Sequence, residues 1–166
     1  EKGHPRPVAL VTADGGKTWD QVRLKDEPLT LACYTDEVCW ISTGRGVWRS
    51  DEGGRDWKKV SDTKGILRMQ FTSPNDGYAA GARKSAWETK DGGKTWTLLS
   101  AVKELNSNPD HAQFTSIAFA GALGIIAGNS RPPRRDDSLF PDWMVPEEAA
   151  KRREFPATID RKSTRL

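Results

Sequence analysis

The stretch TADGGKTW, residues 12–19, returns twice in this chain of 166 residues. It reappears as SDEGGRDW at 50–57 and as TKDGGKTW at 89–96. The final tryptophans of the three stretches are therefore 38 and 39 residues apart. A fixed period of this length is typical of proteins that stack one structural unit against the next. We refer to these stretches as box one, box two and box three.

The sequence around each box also repeats, and it predicts four short strands per period. An apolar run precedes each box, as in GVWRS and SAWET, and an alternating run follows it, as in KKVSD. Further upstream, LACYTDEVCWISTG, MQFTSPNDGYAAG and IAFAGALGIIAG each indicate two strands joined by a tight turn. Four antiparallel strands in about 40 residues form one β-propeller blade, whereas a β-sandwich does not need such strict repetition and a β-solenoid has a shorter period. We therefore predict an all-β propeller.

The boxes follow the form Ser/Thr-x-Asp-x-Gly-x-Thr-Trp, which suits a hairpin turn. An Asp side chain in a turn accepts hydrogen bonds from nearby backbone N–H groups, and glycine permits the positive φ of the reversal. We expect the hydroxyls to tie the turn together and the Trp ring to anchor the hairpin. The predicted structural residues are Thr12, Asp14, Gly16, Thr18 and Trp19 in box one, Ser50, Glu52, Gly54, Asp56 and Trp57 in box two, and Thr89, Asp91, Gly93, Thr95 and Trp96 in box three.

Box two departs from the form, because Glu52 stands for Asp and Asp56 stands for Thr. We expect its turn to be looser and to depend on Trp57 and two glycines. A catalytic or metal-binding role for the box acids is disfavoured, because a catalyst is needed once and these acids recur in every repeat. We predict no catalytic residue, no cofactor and no metal site.

These boxes resemble the Asp-box, or BNR, repeat of neuraminidases and related sialidase-like propellers. The segment FTSPNDGYAAG followed by TKDGGKTW is similar to the repeat of the photosystem II stability/assembly factor-like family. The resemblance covers about residues 7–130, and the second repeat departs from it with Cys39-Trp40 where the family has Gly-Trp or Gly-Tyr. It implies a ring of six to eight blades that is exported, to the periplasm, cell envelope or exterior, and that binds other proteins as a scaffold.

Two classes of function remain open at this stage. The first is a non-enzymatic scaffold that binds a protein or a glycan. The alternative is a glycoside hydrolase, sialidase-like or xyloglucanase-like, with its catalytic residues on other blades. A sialidase needs an arginine triad and a Tyr–Glu pair, yet the usual Arg-Ile-Pro marker is absent and Tyr34 and Tyr78 are the only tyrosines. Net charge is +3 with mixed signs, which argues against nucleic acid, and no apolar run is long enough to span a membrane.

The repeats divide the chain approximately into 1–26, 27–65, 66–104 and a partial fourth blade at 105–130. We expect 131–159 to be an insertion in the fourth blade that contains a short helix. Two interpretations remain open for it: a partner-binding surface at Arg131, Arg134, Arg135, Trp143 and Met144, or a solvated loop with Phe140 and Trp143 packed on a neighbouring blade, which is the more favoured. The heptapeptide DRKSTRL, 160–166, matches one translated frame of a widely used sequencing adapter, so we expect a non-native tail. The chain is then a propeller fragment of three to four blades, which we expect to associate through open sheet edges.

The two cysteines, Cys33 and Cys39, flank a predicted hairpin turn. Two interpretations remain open for them. A cross-strand disulfide fits an exported protein, since disulfides persist in oxidising compartments. The alternative is a pair of small buried apolar side chains.

Overall fold

The computed structural model describes residues 7–130, which form short antiparallel strands with one turn of α-helix and one 3-10 turn. The elements are β1 (Val8–Val11), β2 (Asp20–Arg23), β3 (Pro28–Cys33), β4 (Cys39–Thr43), β5 (Gly46–Ser50), β6 (Lys58–Ser61), β7 (Ile66–Phe71), β8 (Gly77–Gly81), β9 (Ser85–Thr89), β10 (Thr97–Leu98), α1 (Ala101–Glu104), the 3-10 turn Pro109–His111, β11 (Ala112–Ala120) and β12 (Leu123–Ser130). They make two four-stranded sheets, β3 to β6 and β7 to β10, and two strand pairs, β1–β2 and β11–β12.

The hairpins β3–β4, β7–β8 and β11–β12 share one register, and we call them the inner hairpins. Each ends in a cross-strand pair beside its turn, and each carries one register shift near the start of its first strand. The equivalent pairs near the turns are Cys33–Cys39, Phe71–Gly77 and Phe119–Gly124, with one further pair, Ala120–Leu123, in β11–β12, and the shifts follow Pro28, Ile66 and Phe114. Because pairing and bulge coincide, the residues paired between the bulge and these near-turn pairs have equivalents in all three inner hairpins.

The hairpins β1–β2, β5–β6 and β9–β10 are closed by boxes one, two and three, and we call them the outer hairpins. The sheets β3 to β6 and β7 to β10 each join an inner hairpin to an outer one, and they are whole β-propeller blades. By the same equivalence β1–β2 is the outer half of a blade and β11–β12 is the inner half. The predicted insertion 131–159, its surface residues Arg131, Arg134, Arg135, Trp143 and Met144, and the tail 160–166 lie outside the described residues.

The apolar core lies between the blades, as expected for stacked repeats. One buried cluster joins the two whole blades and is made of Trp40, Val47, Ile66, Met69, Phe71 and Ala79. A second joins the half blade β1–β2 to the first whole blade, where Val22 and Leu24 pack against Cys39, Ile41 and Trp57. Each blade is therefore stabilised by its neighbours along the chain.

Trp40 on β4 connects the two whole blades through both its ring and its N–H. The indole is fully buried and stacks on Phe71, with ring centroids 3.5 Å apart and an interplanar angle of 4°. Its Nε1 donates a hydrogen bond of 2.8 Å to the carbonyl oxygen of Gly92 in box three. The inner hairpin of one blade is thereby fastened to the inner strand and to the box of the next.

The next junction repeats the aromatic contact with different residues. Tyr78 occupies the position of Trp40, and its ring stacks on Phe119 at a centroid distance of 4.4 Å. The side chain of Gln70 also binds Phe119, accepting from its N–H at 2.9 Å and donating to its carbonyl oxygen at 3.4 Å. The half blade β11–β12 is thus held on the second whole blade by stacking and by a side-chain amide.

The ring of Trp19 is not buried as the box pattern predicts, because the residue is 55% exposed, whereas Trp57 is 7% exposed. The cause is positional. Trp57 packs with Val22 and Leu24 of the preceding half blade, and Trp96 packs on the cluster that contains Trp40 of the preceding blade. No blade precedes β1–β2 within residues 7–130, so the ring of Trp19 has no surface to cover there.

We expect Trp40→Ala to lower the free energy of unfolding by about 3–5 kcal/mol, because it empties a fully buried ring position. Trp40→Phe keeps a ring on Phe71 but leaves the Gly92 carbonyl without its donor, so a loss of about 1–3 kcal/mol is expected. The matched control is Tyr78→Ala, since Tyr78 is the equivalent residue and is only partly buried. Urea unfolding followed by circular dichroism gives the three values, and equal losses for Trp40→Ala and Tyr78→Ala would contradict this account.

Candidate functional site

The carboxylate of Asp14 is enclosed by hydrogen bonds from its own turn. Its Oδ1 accepts from the Thr12 hydroxyl at 2.8 Å and from the backbone N–H groups of Lys17 and Thr18, each at 2.9 Å. Its Oδ2 accepts from the Thr18 hydroxyl at 2.6 Å. Both oxygens of the side chain are therefore occupied in closing box one.

Box three repeats this arrangement. The Oδ1 of Asp91 accepts from the Thr89 hydroxyl and from the Thr95 N–H, each at 2.9 Å, and its Oδ2 accepts from the Thr95 hydroxyl at 2.6 Å. The two turns lie 77 positions apart in sequence, at residues 14 and 91, yet they use the same atoms in the same roles. The local sequence alone is thus sufficient to specify this turn.

Two further bonds are common to all three boxes, including box two. The first hydroxyl oxygen accepts from the N–H of the second glycine, as in Ser50 and Gly54 at 2.9 Å. The Trp indole donates to the carbonyl oxygen of that same glycine, as in Trp57 and Gly54 at 2.8 Å. The glycine has a positive φ of 81° in box two, a conformation that residues with a side chain rarely adopt.

Box two lacks the carboxylate bonds and has other contacts in their place. Within residues 7–130 the side chain of Glu52 makes no hydrogen bond, whereas the N–H of Gly53 donates to the carbonyl oxygen of Glu37 at 2.8 Å. Arg49, just before the box, pairs with Asp51 at 2.7 Å and donates to the Pro74 carbonyl oxygen of the next blade at 3.1 Å. Box two therefore keeps the two shared bonds within its turn and adds contacts from outside it.

The hydrogen bonds of the boxes keep the two Asp side chains ionised. The Thr18 hydroxyl and N–H, followed by the Thr12 hydroxyl, lower the pKa of Asp14 from 3.8 to about 2. Burial by itself raises the pKa of Asp91, but the hydrogen bonds from Thr95 and Thr89 outweigh it and lower the pKa overall. A general acid at neutral pH needs a raised pKa, so these carboxylates are suited to holding a turn and not to proton transfer.

Cys33 and Cys39 are joined by a disulfide with an Sγ–Sγ distance of 2.01 Å, and they face each other across β3 and β4. Their positions are equivalent to the pair Phe71–Gly77, in which the Phe71 ring lies over the glycine so closely that any side chain there would collide. The disulfide therefore stands where the other inner hairpins have an aromatic ring over a glycine. Aligning LACYTDEVC with MQFTSPNDG shows this equivalence in the sequence.

A cleft opens between the half blade β1–β2 and the first whole blade. Its lining residues come from the linker after β2, from β4 and β5, and from box two, and they are Leu24, Lys25, Asp26, Ile41, Thr43, Trp48 and Trp57. The indole N–H of Trp48 is buried there and has no acceptor within residues 7–130. The ammonium of Lys25 lies 5.3 Å from the Trp48 ring centroid, and Asp26 pairs with Arg45 at 3.3 Å.

The cleft reflects a difference between two repeats that the sequence predictions missed. In the second whole blade, Trp87 packs against Gly81, where any side chain would collide with its ring. Thr43 occupies the position of Gly81 in the first whole blade, so Trp48 cannot pack as Trp87 does. Comparing ISTGRGVW with AAGARKSAW could have signalled the change, since threonine replaces glycine beside an otherwise retained tryptophan.

The other candidate residues have ordinary surroundings. Tyr34 lies exposed at the end of β3, and Tyr78 is engaged with Phe119. Within 7–130, no group of three or more His, Cys, Asp or Glu side chains is placed to hold a metal ion. Nor does the described part of the chain contain a helix long and apolar enough to cross a membrane.

Comparison with known proteins gives relatives of two kinds. The family model described as "Photosynthesis system II assembly factor YCF48" matches residues 59–132. The chloroplastic photosystem II stability/assembly factor HCF136 of Arabidopsis thaliana is 32% identical over 94 residues, which are 53% of this chain and 23% of that protein. The vacuolar protein sorting/targeting protein 10 of Aspergillus clavatus is 32% identical over 83 residues, 45% of this chain and 6% of the relative. The chain thus spans less than a quarter of either relative.

Two solved structures are also similar at low identity. One is described as YCF48 bound to D1 peptide, and the other as YCF48 from Cyanidioschyzon merolae. Both are 16% identical to this chain and match 75% of it, with TM-scores of 0.33 and 0.32. The matches cover 69% and 74% of those chains.

We expect the carboxyl ¹³C resonance of Asp14 to titrate near pH 2 and that of Asp91 below 3.8. The folded pKa is depressed, so each bonded carboxylate stabilises the fold above the unfolded pKa, and the contribution of Asp14 is lost as pH falls from about 4 to about 2. Thr18→Val removes the hydroxyl donor and is expected to raise the Asp14 midpoint while leaving that of Asp91 unchanged. An Asp14 midpoint that does not respond to Thr18→Val would contradict the assigned cause.

Restoring the full pattern in box two should stabilise the protein. The double variant Glu52→Asp with Asp56→Thr supplies the carboxylate and hydroxyl that boxes one and three use. We expect a gain of about 1 kcal/mol in the free energy of unfolding, the usual net worth of such hydrogen bonds. Glu52→Asp alone, without the hydroxyl partner, is the control and should give less. Thermal and urea unfolding give the stability of both variants. A destabilised double variant would show that the turn of box two cannot accommodate the hydrogen bonds of boxes one and three.

Proposed function

We propose that this chain, whose BNR-type propeller blades are related to the photosystem II assembly factor, is part of a non-catalytic scaffold that binds a protein partner. The observation that carries the proposal is the way in which the box acids are used. Both carboxylate oxygens of Asp14 and of Asp91 accept hydrogen bonds from their own turns. The recurring motif therefore builds blades, and recognition is left to the surfaces between them.

The cleft beside Trp48 is the surface that we assign to the partner. A buried indole N–H without an acceptor is costly, by about 1–3 kcal/mol, so an incoming oxygen acceptor is favoured there. Trp48 and Trp57 provide apolar walls, and Lys25 places a cation at the rim. A backbone carbonyl or a carboxylate of an extended peptide segment reaches this N–H only when the cleft opens, because the cleft as it stands admits no more than a water-sized group.

An exported location fits this function and the cysteine chemistry. Disulfides persist in the periplasm, at the cell surface and outside the cell, and are rare in reducing compartments. The pairing of Cys33 with Cys39 across β3 and β4 supports such a location. Intact mass after alkylation of the natively isolated protein tests it, since a protein that takes up two alkyl groups without prior reduction is not oxidised in its compartment.

The binding proposal predicts different effects for two equivalent tryptophans. Fluorescence anisotropy of a labelled D1 peptide, the ligand named in the solved YCF48 complex, is titrated with this chain and compared with a scrambled peptide. Trp48→Phe keeps an aromatic ring but removes the N–H, so we expect affinity to fall about 3- to 10-fold. Trp87→Phe, the equivalent change in the next blade, should leave affinity within about twofold.

Two results would count against these assignments. Equal effects of Trp48→Phe and Trp87→Phe would remove the cleft as the binding surface. Equal binding of the D1 and scrambled peptides, or none of either, would remove this peptide as a model of the partner.

The competing function, glycoside hydrolysis, is tested separately. We expect no release of fluorophore from a fluorogenic sialoside and no cleavage of xyloglucan oligosaccharides by this chain, measured against a commercial hydrolase of each class. Turnover that survives purification to homogeneity would contradict a non-catalytic scaffold.

A further inference from the structure

A four-residue linker, residues 24–27, passes from β2 to β3 beside the cleft, and we call it the strap. Three of its residues line the cleft together with Thr43 and Trp48 of the first whole blade. Its first residue is fixed, because the Leu24 N–H donates to the Pro7 carbonyl oxygen at 2.9 Å. Access to the cleft therefore depends on how the rest of the strap is held.

The equivalent linker before the second whole blade, residues 62–65, is held to that blade by its backbone. The N–H of Ala82, in the turn between β8 and β9, donates to the Gly65 carbonyl oxygen at 3.0 Å. Gly65 has a positive φ of 83°, and the Trp87 ring lies 4.0 Å from the point where a Cβ on this glycine would stand. Linker, turn and tryptophan therefore form one closed contact at this junction.

The strap lacks this backbone bond. Glu27 stands where the next linker has Gly65, since each directly precedes the first paired residue of an inner hairpin, Pro28 or Ile66. Glu27 does not have a positive φ, a conformation that glycine adopts far more readily than glutamate. The turn between β4 and β5 is also one residue shorter than the turn between β8 and β9. Within residues 7–130, no backbone hydrogen bond joins the strap to that turn.

Two side-chain contacts hold the strap instead. Asp26 pairs with Arg45 of the turn at 3.3 Å, and the ammonium of Lys25 lies 5.3 Å from the centroid of the Trp48 ring. The side chain of Arg45 is 80% exposed, so this ion pair contributes little to stability and salt weakens it. A cation on a tryptophan ring is also a weak contact when the cation is exposed, as Lys25 is. The strap is thus held closed by contacts that break easily.

We propose that the strap closes the cleft over the indole N–H of Trp48 in the free chain and opens when a partner enters. This inference rests on the function proposed above, because it concerns the same surface. In the closed state the N–H is buried without an acceptor, and the cleft admits no more than a water-sized group. Breaking the pair of Asp26 with Arg45 releases the strap and lets a peptide carbonyl oxygen reach the N–H. The unsatisfied donor favours the open, occupied state, whereas the ion pair favours the closed state, so their balance sets the affinity for the partner.

Hydrogen exchange of the Trp48 indole N–H, followed by NMR, tests the strap without any partner. Asp26→Asn removes the ion pair with almost no change in shape, and it should speed this exchange about 2- to 5-fold. Raising NaCl from about 0.05 M to about 0.5 M should speed the exchange by a similar factor in the wild-type chain and not in Asp26→Asn. The matched control is Asp110→Asn, which removes the ion pair of Arg83 in the equivalent turn of the next blade and should leave the exchange unchanged.

Anisotropy titrations with the labelled D1 peptide separate the strap from the binding function. Asp26→Asn should bind the peptide about 2- to 5-fold more tightly than the wild-type chain, since less of the protein is held closed, and Asp110→Asn should bind it equally. Exchange that does not respond to Asp26→Asn, or faster exchange with unchanged affinity, would overturn the role of the strap. Faster exchange in a chain that binds neither the D1 nor the scrambled peptide would support the strap as a closure of the cleft and count against the proposed function.

Discussion

The contact of Trp40 with the following blade is the interaction on which the rest of this structure depends. The ring covers Phe71, and the N–H reaches the Gly92 carbonyl of box three. Short strands with few residues each cannot bury a core of their own, so every blade must obtain its apolar contacts from a neighbour. One side chain here satisfies that need for the inner strand and the box turn together. The same position holds Tyr78 in the next blade and Ile125, which is 57% exposed, in the half blade β11–β12.

The sequence was sufficient to predict the blades because their determinants are local. A box needs only its own eight residues, and the period of the boxes sets the spacing of the sheets. The predictions of an all-β fold and of BNR-type repeats related to the photosystem II assembly factor are confirmed. The exposure of Trp19 was not predictable from the box, because its cover depends on a neighbouring blade and not on the turn. Likewise the cleft beside Trp48 depends on Thr43. The effect of Thr43 is visible only when its contact with the Trp48 ring is known.

Some positions of the repeats close the turns of the blade, and other positions vary between repeats and change the surface. In boxes one and three the Asp side chain makes the same hydrogen bonds with equivalent atoms. Box two lacks these bonds and gains contacts with Arg49 and with neighbouring turns. In the hairpins β7–β8 and β11–β12 a Phe ring lies over a glycine across the strands, and in β3–β4 a disulfide takes the same position. Such exchanges leave the blade intact while they change what its edges and clefts present. The partner surface that we propose lies where the repeats differ, beside Trp48.

Hydrogen–deuterium exchange of the tryptophan indole N–H groups, resolved by NMR, tests the central claim most directly. Trp40 Nε1 lies in a buried hydrogen bond between blades, whereas Trp19 Nε1 lies in an exposed turn. Trp40 should therefore exchange only through unfolding of the two-blade unit, at a rate that follows the global stability, while Trp19 exchanges within seconds. If Trp40 exchanged as fast as Trp19, the blades would not be held together by this contact, and the central role of Trp40 in the fold would be contradicted.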